Sequence, residues 1–489
     1  MRGGPHGFLK CAEFLWKSQY ARGRLSYEQF LRLSYIFLLL RYIWRADDIR
    51  PYLRKCWFVL VGAAISRPPT IILQITVIIC ILRRFILQNF TFQRDDYIMF
   101  KTFFGVIKVK KLNKELLKTN IEAAAEYDFE NHKVFGSAYC VIQENDVIYK
   151  NCFGTTSADH AQAVTENTLF RLASMTKPIT AIAALILVER GQLSLSDKVS
   201  DYLPEYKDVH ITQISDTNEK VDLGKAQNDI TICHLLTHTS GIGSDAAKSQ
   251  KMTDEDKKSI ANTIKFHAKA GLDFEPGTKP KYSGIGAFDV LIKIIENITK
   301  TDYLQFLKQE IFEPCEMANT TFVPTQKQWG QIIDMHNRVD GNNTVAKMKE
   351  NCVFMDYPCT HYLGGAGLVS TLSDYTKFAK MLLNNGKTPK KQILSEETFQ
   401  LMHTPFVSEE IMPSYERWGL GVRVIVNEEC PTLPAGAFGW SGAYGSHFWI
   451  DPTNKVAAVF MKNSFFDGGS GNESARNFEK AVNDSFHKA

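Results

Sequence analysis

Ser174 and Lys177, in Ser174-Met175-Thr176-Lys177, are of the types that acyl transfer needs: a hydroxyl that can be esterified and an amine that can take its proton. They stand where an extended run, Thr168 to Ala173, gives way to a helix-like run from Ile179 to Arg190. With Ser174 in the first helical turn, Lys177 follows at i+3 on the same face, and its nitrogen can reach the serine oxygen. The free N–H groups and the dipole of a helix mouth favour negative charge at that point. Pro178 fits the first turn, where its missing N–H is not needed. A lone Ser-x-x-Lys is common and in most chains is a cap beside a solvated charge. Its chemistry depends on what other segments bring to it.

Two segments bring matching groups. In Phe274-Glu275-Pro276-Gly277-Thr278-Lys279-Pro280-Lys281-Tyr282-Ser283-Gly284 a turn delivers a tyrosine just ahead of a helical pattern, and Tyr282 could relay a proton; most loop tyrosines only pack. In Gly439-Trp440-Ser441-Gly442-Ala443-Tyr444-Gly445 small residues run into a strand, so that backbone N–H groups can approach a substrate carbonyl, the plainer alternative being a glycine-rich hairpin. Gly439 to Ala443 nearly spells a Gly-x-Ser-x-Gly elbow, but it ends in alanine and no helix follows, so Ser441 is not read as a nucleophile. His234 and His238 have the i,i+4 spacing of zinc ligands. With no Glu between them and no third ligand evident, they are read as helix packing, and neither metal nor cofactor is expected. Asn385-Gly386-Lys387-Thr388 ends like a phosphate loop, yet Met381 holds the place of its first glycine; a polar turn is expected.

The elements that must position these groups are legible in outline. Leu112 to Phe129 has the pattern of an amphipathic helix, and Val134 to Ile142 with Val147 to Phe153 that of a hairpin turning at Gln143 to Asp146. Gly191 to Ile264 is polar with short apolar helical stretches, and Ala287 to Leu307 carries helical periodicity. Gly419 to Asn427, Phe448 to Ile450 and Val456 to Asn463 read as strands around glycine-rich turns. A sheet split by a helical insertion, roughly residues 191–350, is the architecture these runs imply.

From about residue 113 to 489 the chain resembles the serine β-lactamase and penicillin-binding-protein superfamily, in particular its class C β-lactamase-like branch with family VIII-type carboxylesterases. The resemblance rests on Ser174-x-x-Lys177, on Tyr282-Ser283-Gly284 where the family has Tyr-x-Asn, and on Trp440-Ser441-Gly442 where it has Lys-Thr-Gly. His234-Leu235-Leu236-Thr237-His238-Thr239-Ser240-Gly241-Ile242, Phe274-Glu275-Pro276-Gly277 and Gly365-Ala366-Gly367-Leu368-Val369-Ser370-Thr371 reinforce it. It implies an α+β fold of the β-lactamase/DD-peptidase type: an antiparallel sheet flanked by helices, a mainly helical subdomain, and here a separate basic, apolar N-terminal extension. It also implies Ser174 as nucleophile, Lys177 and Tyr282 as its proton-handling pair, and the backbone N–H groups of Ser174 and Ala443 as an oxyanion hole. Which of Lys177 and Tyr282 is the formal base stays open, since so close a pair titrates as a unit.

Departures from the family pattern bear on the substrate. Trp440 replaces a lysine that helps hold a substrate carboxylate, and Gly284 replaces an asparagine amide. With Ser441 and Gly442 these residues would line the substrate site. The losses favour a less polar acyl compound, so a carboxylesterase-like hydrolase or acyltransferase is expected ahead of a β-lactamase or peptidase of the same fold. The rival from another class is a non-catalytic, membrane-attached scaffold or assembly protein. The expected partner is a small-molecule or peptide acyl substrate.

Composition bounds the rest. The 489 residues, 44% hydrophobic, suffice for a large core. Residues 1–112 hold 19 Lys+Arg against 6 Asp+Glu, a balance of +13, whereas residues 113–489 balance at −9. Such a basic region suits an anionic membrane; no nucleic-acid motif accompanies it, and nucleic-acid binding is not expected. Its apolar stretch, residues 56–82, is broken by Arg67-Pro68-Pro69 into arms each too short for a bilayer core of about 30 Å. As one span it would bury Arg67 near mid-membrane at about 2.5–3.5 kcal/mol, so a re-entrant or interfacial anchor and a true span both stay open. Cys352 and Cys359 flank a short loop and could be bridged in an oxidising compartment. Sequons at Asn89, Asn297, Asn319, Asn342, Asn472 and Asn483 fit a lumenal domain but arise readily by chance. Neither compartment nor oligomeric state is fixed by any motif.

Overall fold

The computed structural model describes residues 109–158, 162–243, 252–345 and 361–487. The apolar segment 56–82 and the pair Cys352 and Cys359 lie outside the described residues, as does nearly all of the extension at 1–112. Among the described residues no helix is long and apolar enough to cross a membrane.

An antiparallel sheet of seven strands organises the chain. In chain order its strands are β1 (Gly136–Gln143), β2 (Asp146–Gly154), β9 (Glu416–Trp418), β10 (Arg423–Ile425), β11 (Phe438–Ser441), β12 (His447–Asp451) and β13 (Val456–Met461). Their spatial order, β2-β1-β13-β12-β11-β10-β9, sets the first hairpin beside the last strand. Side chains alternate between two apolar layers, as the period of a strand requires. Ala138, Cys140, Ile142, Phe448, Ile450, Ala457 and Val459 enter the larger core, whereas Tyr139, Val141, Trp449, Ala458 and Phe460 enter the smaller one. The smaller layer is closed by α1 (Lys114–Glu130) and the C-terminal α8 (Glu473–Asn483), through Leu117, Ile121, Ala125, Phe478 and Val482. Asn113 caps α1 by accepting from the Leu116 amide, and Asn472 caps α8 by accepting from Ala475. That duty leaves the Asn472 side chain buried and ill-suited to carry a glycan.

The larger core holds α2 (Lys177–Glu189), which is apolar all round and buried from Lys177 to Leu187, together with α5 (Gly286–Thr299) and α6 (Leu372–Leu383). The expected helical run from Ala287 to Leu307 is divided, because Lys300 turns left-handed at φ 55° and a second short helix starts at Tyr303. Within the expected extended run Thr168 to Ala173, β3 (Phe170–Arg171) pairs with β8 (Val369–Ser370), and Leu169 makes an isolated bridge to Ile332. Within residues 191–350, short helices such as α3 (Ile232–Leu236) and α4 (Ile260–Ala270) alternate with two hairpins absent from the sequence expectation. These are β4–β5 (His210–Ile214 and Lys220–Lys225) and β6–β7 (His336–Val339 and Asn342–Val345). β5 is almost wholly exposed, so it has no buried face to impose an alternating pattern.

Candidate active site

The turn that bears Ser174 is a single 3-10 turn, Ala173–Thr176, directly ahead of α2, rather than the first turn of the α-helix itself. Ala173 enters it at φ 45°, a left-handed conformation that side chains other than glycine adopt at a cost. Neighbours over-determine the turn: Leu172 N–H donates to Leu368 O at 2.9 Å, Leu368 N–H to Thr176 Oγ1 at 3.2 Å, and Tyr375 Oη to Met175 O at 2.9 Å. The Gly365-to-Thr371 motif therefore braces the serine from behind.

Lys177 is fully buried at the start of α2. Its Nζ lies 3.3 Å from Ser174 Oγ, 2.6 Å from Gly284 O and 2.9 Å from Gly365 O. All three partners are uncharged oxygens, and the rings of Tyr282 and Phe288 lie 4.8 and 5.3 Å from the nitrogen. A Cβ on Gly365 would stand 2.9 Å from that nitrogen and 2.6 Å from Gly284 O, so only glycine lets this carbonyl come so close. Asp289 N-caps nothing here; its Oδ1 accepts from the Gly364 amide at 2.9 Å and so steadies the glycine pair from within α5. Burial holds its carboxyl well above the usual range, against the pull of that amide and of Lys177.

Tyr282 Oη donates to Ser174 Oγ at 2.6 Å, while its ring is 40% exposed at the surface of the site. Two loops present it. Gly277 N–H donates to Thr239 O, Asp273 N–H to Gly241 O and Lys281 N–H to His238 O, zipping the Phe274–Gly277 turn onto the segment after α3. Gly277 lies against the Nε2 end of the His234 ring, where a Cβ would come to 3.0 Å.

The two histidines do not share a helix face. α3 ends at Leu236, so His238 lies beyond it in a left-handed conformation, φ 54°. His234 Nδ1 accepts from Thr231 N–H in a capping box, and His238 Nδ1 accepts from Ser283 N–H at 3.2 Å. The His238 ring sits behind Tyr282 at 4.7 Å, stacked on Trp440 at 5.6 Å and edge-on to Trp418 at 5.0 Å. Burial, and then the charge of Lys177, hold its pKa well below the ordinary value, leaving a neutral ring as backing for the tyrosine. Nothing in the sequence marks this role, because the contacts join four separate segments.

Of the remaining expected site residues, Trp440 faces Tyr282, with ring centroids 5.9 Å apart. Ser441 does not face the site: strand alternation turns it to the opposite layer, where its Oγ lies 2.8 Å from His447 Nδ1. The expectation that the Ser441 side chain lines the site is therefore corrected: it lies in the opposite layer, bonded to His447. Gly442 packs against Leu172 O, which a Cβ would approach to 2.4 Å, and β11 lies against the Ala173–Thr176 turn. Gly284 offers its carbonyl to Lys177, and a Cβ there would meet nothing nearer than 4.0 Å.

Comparison with known proteins gives one consistent result. A family model described as Beta-lactamase matches residues 116–482. Esterase EstB of Burkholderia gladioli is 25% identical over 389 residues, covering 74% of this chain and 94% of that protein. Among solved structures, EstCE1, described as a hydrolase with promiscuous acyltransferase activity, superposes with a TM-score of 0.63 at 22% identity, covering 76% of this chain and 99% of its own. Simvastatin synthase (LovD) from Aspergillus terreus does so with a TM-score of 0.64 at 20% identity, covering 76% of this chain and 99% of its own. The two structural likenesses establish the shared fold.

Proposed function

This chain belongs to the beta-lactamase family of serine hydrolases, and on that footing we propose that it is a carboxylesterase-like acyl hydrolase or acyltransferase working through an acyl-enzyme on Ser174. The observation that carries the reading is the 2.6 Å hydrogen bond from Tyr282 Oη to Ser174 Oγ, with Lys177 Nζ 3.3 Å from the same oxygen. The names of EstB and EstCE1 point to ester and acyl-transfer chemistry in relatives and support the choice.

In the proposed reaction Ser174 Oγ bonds to the substrate carbonyl carbon as its proton passes to the Lys177/Tyr282 pair. The carbonyl π pair moves onto oxygen, where the amides of Ser174 and Ala443 would receive it; one such donor is worth about 2.7–4 kcal/mol of transition-state stabilisation. Collapse breaks the bond to the alkoxy group, which leaves as an alcohol with the proton returned by the pair. Water, or a second alcohol, then repeats the steps in reverse and releases the acid or a new ester. Trp440 offers an indole N–H and ring surface in place of a cation, which suits a neutral acyl group better than a carboxylate.

Labelling with a serine-reactive fluorophosphonate is expected in the wild type and lost in Ser174→Ala. Equal labelling of both would refute the nucleophile. A short-chain aryl ester is expected to turn over faster than a chromogenic cephalosporin, and the reverse order would overturn the reading of Trp440.

A further inference from the structure

A chain of polar side chains that the proposed reaction does not use lies behind β11. Ser441 Oγ is 2.8 Å from His447 Nδ1, His447 Nε2 is 2.8 Å from Glu479 Oε1 on α8, and Arg423 Nη2 reaches the same oxygen at 2.5 Å. Thr432 Oγ1 donates to the other carboxylate oxygen, and Arg423 also pairs with Glu416 at 3.2 Å. Ser441, His447 and Glu479 are all buried, the histidine to 1% exposure. The connectivity is that of a serine–histidine–acid triad, yet Ser441 faces the layer of α1 and α8 rather than the cleft, so it is no second nucleophile.

Proton accounting gives the chain one direction. His447, Arg423 and Thr432 all point hydrogens at Glu479, and together they hold its carboxyl down to about 2 against its burial. An ionised Glu479 can only accept, so His447 carries its proton on Nε2. Burial pulls His447 below its ordinary pKa, against the opposing pull of Glu479 and of the Trp440 backbone, and a neutral ring with its proton on Nε2 has a lone pair on Nδ1. Ser441 must then donate its hydroxyl proton to that lone pair, which fixes its rotamer.

The two residues so joined bracket the turn that carries Ala443. Ser441 is the last residue of β11 and His447 the first of β12, and they are register partners. Between them Gly442 N–H donates to Ser446 O at 2.7 Å, and Ser446 Oγ donates to Lys462 O at 2.8 Å. We propose that His447 and Glu479 are positioning residues that clamp the two ends of this turn to α8 and thereby hold the Ala443 amide in place for the oxyanion. This rests on the acyl-enzyme reading above.

The test compares Glu479→Gln, which keeps an oxygen acceptor for His447 Nε2–H, with Glu479→Leu, which removes it. Each folded variant is assayed for kcat and KM on an aryl ester and for affinity towards an arylboronic acid that adds to the serine as a tetrahedral anion. The expected result for Glu479→Leu is a fall in kcat of about 10-fold or more with KM nearly unchanged, matched by a similar loss of boronate affinity. Glu479→Gln should stay within about 3-fold of wild type on both measures, because the acceptor survives. Should Glu479→Leu fail to fold, Ser441→Ala cuts the other link of the chain, Ser441 to His447, with less disturbance, and kcat and boronate affinity are again expected to fall together. Variants that lose thermal stability but keep kcat and boronate affinity would overturn the clamp, as would equal losses in Gln and Leu. Absence of Ser174-dependent turnover in the wild type would instead sink the acyl-enzyme reading, and the clamp with it.

Discussion

At Lys177 the decisive partners are backbone carbonyls, which a residue's type cannot announce. The spacing of Ser174 and Lys177 and the tyrosine ahead of a helix were readable because each is a side chain in a short segment. Gly284 was readable only as a lost asparagine, whereas its carbonyl, with that of Gly365, holds the lysine. The two glycines should therefore behave oppositely on gaining a methyl group. Gly365→Ala pushes a Cβ to within 2.6 Å of Gly284 O, and overpacking of this kind costs about 1–3 kcal/mol. Urea unfolding should show that loss, and ester turnover should fall with it. Gly284→Ala has no atom closer than 4.0 Å and should leave stability within about 0.5 kcal/mol of wild type. Equal stability losses at both positions would contradict the carbonyl clamp.

Among the elements, β11 and the nucleophile turn can touch because residue 442 lacks a side chain: its missing Cβ would lie 2.4 Å from Leu172 O. Gly442→Ala is expected to move Ala443 away from Ser174 and lower kcat by about 10-fold or more while KM changes little, which steady-state kinetics on an aryl ester would read. Unchanged kcat would mean that the turn does not need this approach. Element boundaries were legible where burial imposes a period. The apolar runs of β1, wholly buried, and of β13 mark those strands, and the stripe of α1 marks that helix. β4–β5 and β6–β7 leave no such trace in the sequence, because their exposed Lys, Asp and Asn residues answer to cross-strand hydrogen bonds rather than to a core. The split of the Ala287-to-Leu307 run was hidden for a similar reason, since Lys300 keeps an ordinary helical residue type while its backbone turns left-handed.

For the folded domain as a whole, buried histidines set the response to acid. Burial lowers His267 and His403 to about 4 and holds His238 and His447 below their ordinary value as well. The unfolded chain protonates these rings below about pH 6.5, so between there and pH 4 it binds more protons than the fold, and stability falls as pH falls. Asp128, raised by burial to about 6, works the other way: its neutral form suits the fold, and that contribution is lost as pH rises through 6. Asp289, also raised by burial, joins Asp128, but two such acids stand against seven histidines lowered by burial (His234, His336 and His361 besides the four named), which leaves the domain acid-labile, and the urea midpoint should drop from pH 6.5 to 4. His403→Phe keeps a ring stacked 4.5 Å from Phe438 and should flatten part of that slope. A midpoint that stays level or rises with acid would count against the histidine account. The clamp on Lys177 also has a meaning in time. Its oxygens come from 107 and 188 residues further along the chain, and β1 waits for β13, the last strand, to pair with it. Contacts of such long range close late in folding. A chain still being made, or refolding from denaturant, would thus carry an unarmed serine, and capture of a serine-reactive label should lag behind the return of helix and strand signals.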